Sequence, residues 1–130
     1  EEGYKYVTDS SGRISNVEGS LDAGKAKRNA YAQRTVGKDN GRLATDDGGH
    51  LIASIFKGSG DLDNLVPMDA TLNRGEWKAM EKSWAKALDN GKNVDVRIEP
   101  IYSGISQRPI SFEVEYKIGN GKWIQETFKN

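Results

Sequence analysis

Hydrophobic and polar positions alternate most regularly in the last third of the chain. Val94, Val96 and Ile98 are separated by Asp95, Arg97 and Glu99. Phe112, Val114, Tyr116 and Ile118 are separated by Glu113, Glu115 and Lys117. A period of two puts every apolar side chain on one face, so each segment reads as a strand with one buried side. Asn120-Gly121 predicts a two-residue hairpin turn, leading into a last strand over about 122–128. Just before these strands the period becomes helical. Trp77, Met80, Trp84 and Leu88 predict a helix from Asn73 to about Asn90, with Gly91 as its stop.

The first half of the chain is less periodic. Tyr4–Thr8 reads as a short strand, Ser10-Ser11-Gly12 as a turn, and the stretch around Arg13–Glu18 as a second strand. Lys25 to Val36 is polar and basic, either a short helix or an irregular loop. Arg42–Thr45 reads as a short strand, and Asp46-Asp47-Gly48-Gly49-His50 as too glycine-rich to be regular. Leu51–Phe56 is an apolar run too short to classify, and Lys57 to Asp63 is a loop. Leu65–Met68 is extended, because the residue before Pro67 avoids the helical region. The sum is an α+β fold, a meandering antiparallel sheet with one main helix packed on it.

Composition narrows the chemistry. At 130 residues, 1–130 is a single domain large enough for a real core. Without cysteine there is neither a disulfide framework nor a thiolate zinc site. The 19 Lys+Arg balance 19 Asp+Glu, which argues against coating nucleic acid by bulk charge but leaves room for a local basic groove. No apolar run spans a bilayer. The opening Glu1-Glu2 lacks a basic n-region and an h-region, so the chain reads as an excised or processed domain whose address is carried elsewhere.

Three groups of residues carry candidate chemistry. The single histidine, His50, follows glycine-rich backbone and is the natural general base near neutral pH. Taken alone, a structural histidine capping a turn is the simpler reading, and Asp46 and Asp47 are weak metal candidates, since paired acids in a glycine loop are often turn formers. Asn73, Trp77 and Glu81, spaced i, i+4, i+8, share one helical stripe, where an amide and a carboxylate can hold a hard cation and its waters. Taken alone, Asn73 is a cap-region residue and Glu81 an exposed charge paired with Lys78 or Lys82. The stretch Lys25, Lys27, Arg28, Arg34, Lys38, Arg42, with Tyr31 among them, can contact phosphates and stack a base; such runs are also ordinary solvated surface.

In their order and spacing these residues resemble the DNA/RNA non-specific endonuclease family, whose fold is the ββα-metal finger. The family carries an Asp-Arg-Gly-His loop and, downstream, Asn-(x)8-Asn-(x)3-Trp-(x)3-Glu. Here the loop reads Asp47-Gly48-Gly49-His50, followed by Asn64, Asn73, Trp77 and Glu81 at the family's spacing. There are two departures. The motif arginine is Gly48, and a glutamine common four residues after the first Asn is Met68. The wording around Asp46–Ala53 and Asn64–Pro67 is most similar to the C-terminal nuclease toxin domains of bacterial polymorphic toxins of the type VII (LXG) kind.

The resemblance implies roles. His50 corresponds to the general base, Asn73 to the direct metal ligand, Glu81 to the residue holding metal-bound water, and Asn64 to a residue supporting the catalytic site. Trp77 reads as packing. Arg28, Arg34 or Arg42 would supply the cation missing at Gly48, with Arg74 a further nucleic-acid contact. The implied cofactor is Mg2+, with Mn2+ as the alternative. The implied substrate is DNA, with RNA also chemically open, and the products carry a 5′-phosphate and a 3′-hydroxyl. A cognate immunity protein and a secreted toxin acting in the target-cell cytoplasm are the implied partner and location. The competing readings are a binding module whose catalytic site has decayed, with Gly48 and Met68 as the marks of decay, and a metal-independent RNase.

Overall fold

A computed structural model describes residues 3–130. Glu1 and Glu2, on which the reading of the N-terminus rests, lie outside the described residues. In chain order the elements are β1 (Tyr4–Thr8), β2 (Ile14–Ser20), α1 (Ala30–Thr35), β3 (Asp46–His50), β4 (Leu65–Asp69), α2 (Ala70–Arg74), α3 (Glu76–Asp89), β5 (Val94–Ile101), β6 (Ser111–Ile118) and β7 (Ile124–Lys129). The strands form a five-stranded antiparallel sheet, ordered β1-β2-β5-β6-β7, and a separate two-stranded sheet of β3 and β4.

The alternating apolar residues form the buried face of the large sheet. Val17, Val94, Val96, Ile98, Phe112, Val114 and Phe128 join one core with Trp77, Met80, Trp84 and Ala87 from α3. The Trp77 ring lies 5.2 Å from Phe112 and 5.5 Å from Phe128, and Trp84 lies 5.4 Å from Tyr116. Such tilted pairs contribute about 0.5–1.5 kcal/mol each beyond area burial. α3 is thereby held by its indoles, with its remaining faces left for other contacts.

The sheet is the expected antiparallel meander, with a long insertion between its second and third strands. β2 pairs with β5, so everything from α1 to α3 is inserted between two neighbouring strands. Within the insertion, Arg42–Thr45 is not a strand; the strand is the glycine-rich segment itself. Asp46 pairs with Asp69 and His50 with Leu65. The glycines allow close approach rather than irregularity. A Cβ at Gly48 would lie 2.0 Å from the Gln33 carbonyl oxygen of α1, and one at Gly49 would lie 2.9 Å from the Met68 Cβ.

The predicted Asn73–Asn90 helix is two helices. Gly75, at φ −109° and ψ −104°, separates α2 from α3. The basic segment resolves into an irregular stretch followed by α1, whose first turn is capped by the Asn29 side chain accepting from the Ala32 N–H at 3.0 Å. The last hairpin turns on Gly119-Asn120, one residue earlier than expected. There Gly119 takes φ +57°, the Gly121 N–H donates to the Ile118 carbonyl at 3.0 Å, and β7 resumes only at Ile124.

Candidate active site

A cleft of about 450 Å³ opens where β3, α1, α2 and α3 meet. His50, Asn73, Glu81, Arg28, Arg34, Arg42 and Arg74, all expected from the sequence, line it. Asp47, the first residue of the loop motif, lines it as well, as do Gln33 and Lys78, to which the sequence reading gave no place in a site. Lys78 was within reach of helical spacing, being one turn before Glu81 on α3. Gln33 was not, because only the packing of α1 on β3 brings it there.

His50 ends β3 and is 7% exposed, and its Nε2 has no hydrogen-bond partner among the described residues. Burial, with a smaller effect from the Arg28 guanidinium, lowers its pKa to about 4. The ring is therefore neutral at physiological pH, with a lone pair available as a base. A buried nitrogen left unpaired by the fold calls for a partner that binds there.

Asn64 is placed differently. It is 0% exposed and does not line the cleft. Its Oδ1 accepts from the Ile52 N–H at 2.9 Å, and its Nδ2 donates to the Ile52 and Ser59 carbonyls, each at 2.7 Å. With these bonds made, its contribution is to fix the loop that leaves His50.

Glu81 is half-buried and lines the cleft, rather than projecting into solvent beside Lys78 or Lys82. Burial raises its carboxyl to about 7, against the opposing pull of Lys78, the Trp77 indole and Arg28. The Trp77 N–H makes no hydrogen bond among the described residues, and it acts on Glu81 as a nearby dipole. A carboxylate this poorly neutralised is suited to a cation. Asn73 adds an amide oxygen, because its Nδ2 already donates to Asp47 Oδ2 at 2.9 Å. No group of three His, Asp or Glu side chains among the described residues could cage a metal. One amide oxygen and one carboxylate suit a hard cation that keeps most of its own waters.

The four arginines separate by what they already bind. Arg42 donates to the backbone carbonyls of Gln33 (2.8 Å), Val36 (3.2 Å) and Asp46 (3.3 Å), which braces α1 against β3. Arg74 pairs with Asp47 at 2.7 Å. Arg28 has one long bond, 3.3 Å to Ser54 Oγ, and acts on both His50 and Glu81. Arg34 is exposed at the rim, with no ion pair among the described residues. Asp46 closes the 43–46 turn, its side chain accepting from the Leu43 N–H at 2.9 Å, and it does more: it is buried and accepts from Arg108 Nε at 2.7 Å and Nη2 at 3.0 Å, which ties β3 to the loop before β6.

The model of DNA/RNA non-specific endonucleases matches residues 1–120. The chain belongs to that family. It is 48% identical over 130 residues to the type VII secretion system protein EssD of Staphylococcus aureus (strain USA300), covering 95% of this chain and 21% of that protein. It is 26% identical over 86 residues to the probable deoxyribonuclease RhsA of Dickeya dadantii (strain 3937), covering 66% of this chain and 6% of that one. The chain thus spans about a fifth of the length of its EssD relatives. Among solved structures, NucA from Streptococcus agalactiae with a magnesium ion bound superposes with TM-score 0.81 at 20% identity, over 98% of this chain and 70% of that one. A second nuclease, solved with a bound zinc ion, gives TM-score 0.76 at 17% identity, over 98% and 74%. The fold is the ββα-metal finger, with β3, β4 and α3 as its parts.

Within this family the two departures have structural reasons. Gly48 lies under the α1 backbone, where a side chain would collide with Gln33. Met68 is 0% exposed within the core, where an apolar side chain is the better fit.

Proposed function

We propose that this domain is a divalent-cation-dependent endonuclease of low sequence specificity that hydrolyses phosphodiester bonds of DNA, with RNA also accepted. One observation carries the reading: a buried, neutral His50 with an unpaired Nε2 shares one arginine-rimmed cleft with the Asn73 amide and the Glu81 carboxylate. Arg28 and Arg34, the least committed of the cleft arginines, bind the phosphate and orient the bond to be cut. Phosphate contacts carry no base sequence, hence the low specificity.

His50 accepts a proton from the attacking water through the ring nitrogen that carries no hydrogen. Arg28 stabilises charge that develops on the phosphate oxygens. Asn73 and Glu81 would hold Mg2+, with Mn2+ as the alternative. When bound, the cation supplies Lewis-acid neutralisation of charge on the phosphate and the departing oxygen. Attack by water does not require a 2′-hydroxyl, so both nucleic acids fit the chemistry.

The likeness to a type VII secretion system protein supports secretion; in this proposal the domain is a toxin that acts in the cytoplasm of a target cell and is held inactive in the producer by an immunity protein. An acidic inhibitor surface would complement this cleft. Among the described residues no helix is long and apolar enough to cross a membrane. Against the decayed-module reading, packing offers a reason for Gly48 and Met68 other than loss of the site.

The test is a digest of plasmid DNA and total RNA by the purified domain with Mg2+, with EDTA, and with His50→Ala beside wild type. Cutting that needs both Mg2+ and His50 is expected. Intact substrates in every metal would return the binding module, and cutting of RNA alone in EDTA would return the metal-independent RNase.

A further inference from the structure

At the junction of β3 and α2, one carboxylate takes three hydrogen bonds. Asp47 Oδ2 accepts from Asn73 Nδ2 at 2.9 Å and from Arg74 Nε at 2.9 Å, while Oδ1 accepts from Arg74 Nη2 at 2.7 Å. The Asp47 side chain is 19% exposed and its partner Arg74 73% exposed, so the clamp sits at the cleft wall with its cationic side toward solvent. Asp47 and Asn73 both line the cleft.

An ionised carboxylate only accepts, so the Asn73 atom that meets it must be the NH2. The amide is planar, and its oxygen is then directed away from Asp47. A neutral hydroxyl or amide at position 47 could accept or donate, and would leave the Asn73 amide free to turn over. An Nδ2 in place of Oδ1 offers two protons and no ligand to a cation. The fork of Arg74 holds both Asp47 oxygens, which fixes the carboxylate that makes the choice.

We infer that Asp47 is a positioning residue for the cation site: it sets the Asn73 amide with its oxygen free to coordinate, and Arg74 secures Asp47 in turn. This rests on the reading of Asn73 as the cation ligand. It also moves Arg74 from direct phosphate binding to support of that ligand, and gives the first residue of the family's loop motif a task in this chain.

Direct Mn2+ binding to the whole domain, measured by calorimetry without nucleic acid, tests it. Asp47→Asn should weaken Mn2+ binding about tenfold or more, as loss of a partner that orients a metal ligand does. The exchange Asp47→Asn with Asn73→Asp should recover part of that loss, because the donor and acceptor are traded and an oxygen again faces the cleft, while the exposed Arg74 turns away from the new amide NH2. A purely structural role for Asp47 predicts no such recovery. Unchanged Mn2+ binding in Asp47→Asn, or no recovery in the exchanged pair, overturns the inference alone. If wild type binds no Mn2+, or Asn73→Ala binds it as wild type does, the reading of Asn73 as ligand fails first. Should Asp47→Asn not fold, the Asn73 side-chain NH2 resonances of wild type decide. Protection from exchange, with both protons retained when Mg2+ is added, supports the clamp. Free exchange overturns it.

Discussion

Gly48→Ala adds one methyl group where the family has an arginine side chain, and it should do harm. The new Cβ would lie 2.0 Å from the Gln33 carbonyl oxygen and 2.7 Å from the Gln33 Cα, against the 3.0 Å below which such contacts essentially do not occur. The obstructing atoms are backbone, so no rotamer change relieves the overlap. α1 must retreat from β3 by about 1 Å, an overpacking that costs about 1–3 kcal/mol. At this size that is a fall in Tm of roughly 3–12 °C. α1 carries Gln33 and Arg34 into the cleft, and Arg42 braces its carbonyl end. A displacement of that size in a positioning element costs on the order of 10- to 100-fold in rate. The assay is single-turnover nicking of plasmid well below the variant's Tm, so that unfolding does not contribute. Gly48→Arg, which restores the family residue, should be worse than alanine in both measurements. A Gly48→Ala variant with wild-type Tm and wild-type nicking rate would refute the claim that α1 occupies the place of the family's arginine.

The remaining predictions separate binding from support. Arg28→Ala should lower the cutting rate about 10²- to 10³-fold with little change in Tm, as loss of a charge-stabilising donor does. Arg42→Ala should show the reverse emphasis, a loss of about 1–3 kcal/mol in urea unfolding, because it leaves backbone carbonyls without their donor. Arg108→Ala strands the buried Asp46 carboxylate and should cost about 3–5 kcal/mol, read by the same denaturation. His50 and Glu81 should make opposite pH contributions to stability in metal-free protein. The His50 pKa is depressed to about 4, so its contribution is complete above about pH 6.5 and lost as pH falls toward 4. The Glu81 pKa is raised to about 7, so its contribution is complete below about pH 4.5 and lost as pH rises through 7. Between those limits they offset each other. Glu81→Gln should therefore leave stability rising with pH across that window, and His50→Ala should leave it falling, each by on the order of 3 kcal/mol. Flat profiles in both variants would show that the two groups titrate normally.

The strands β5 and β6 and the indole stripe of α3 were legible in the sequence, because an alternating or helical period is a local record of which face is buried. The order of His50, Asn73 and Glu81 along the chain was legible too, since the family's spacing is itself linear information. What could not be read locally depends on elements distant in sequence. Asp46–His50 forms a strand because β4 pairs with it and because α1 and Met68 press against glycines that look irregular in isolation. The helix breaks at Gly75, although the apolar stripe continues and on that evidence Asn73 and Glu81 belong to one helix. The arginines looked alike as a basic run, and only their three-dimensional partners distinguish a brace for α1, a clamp on Asp47 and a cation facing His50 and Glu81. The sequence by itself determined the strands of the large sheet, the packing face of α3 and the family. Tertiary structure decided which polar groups are already satisfied and which remain free for a ligand. A hydrogen bond or ion pair between residues far apart in the chain leaves no period in the sequence.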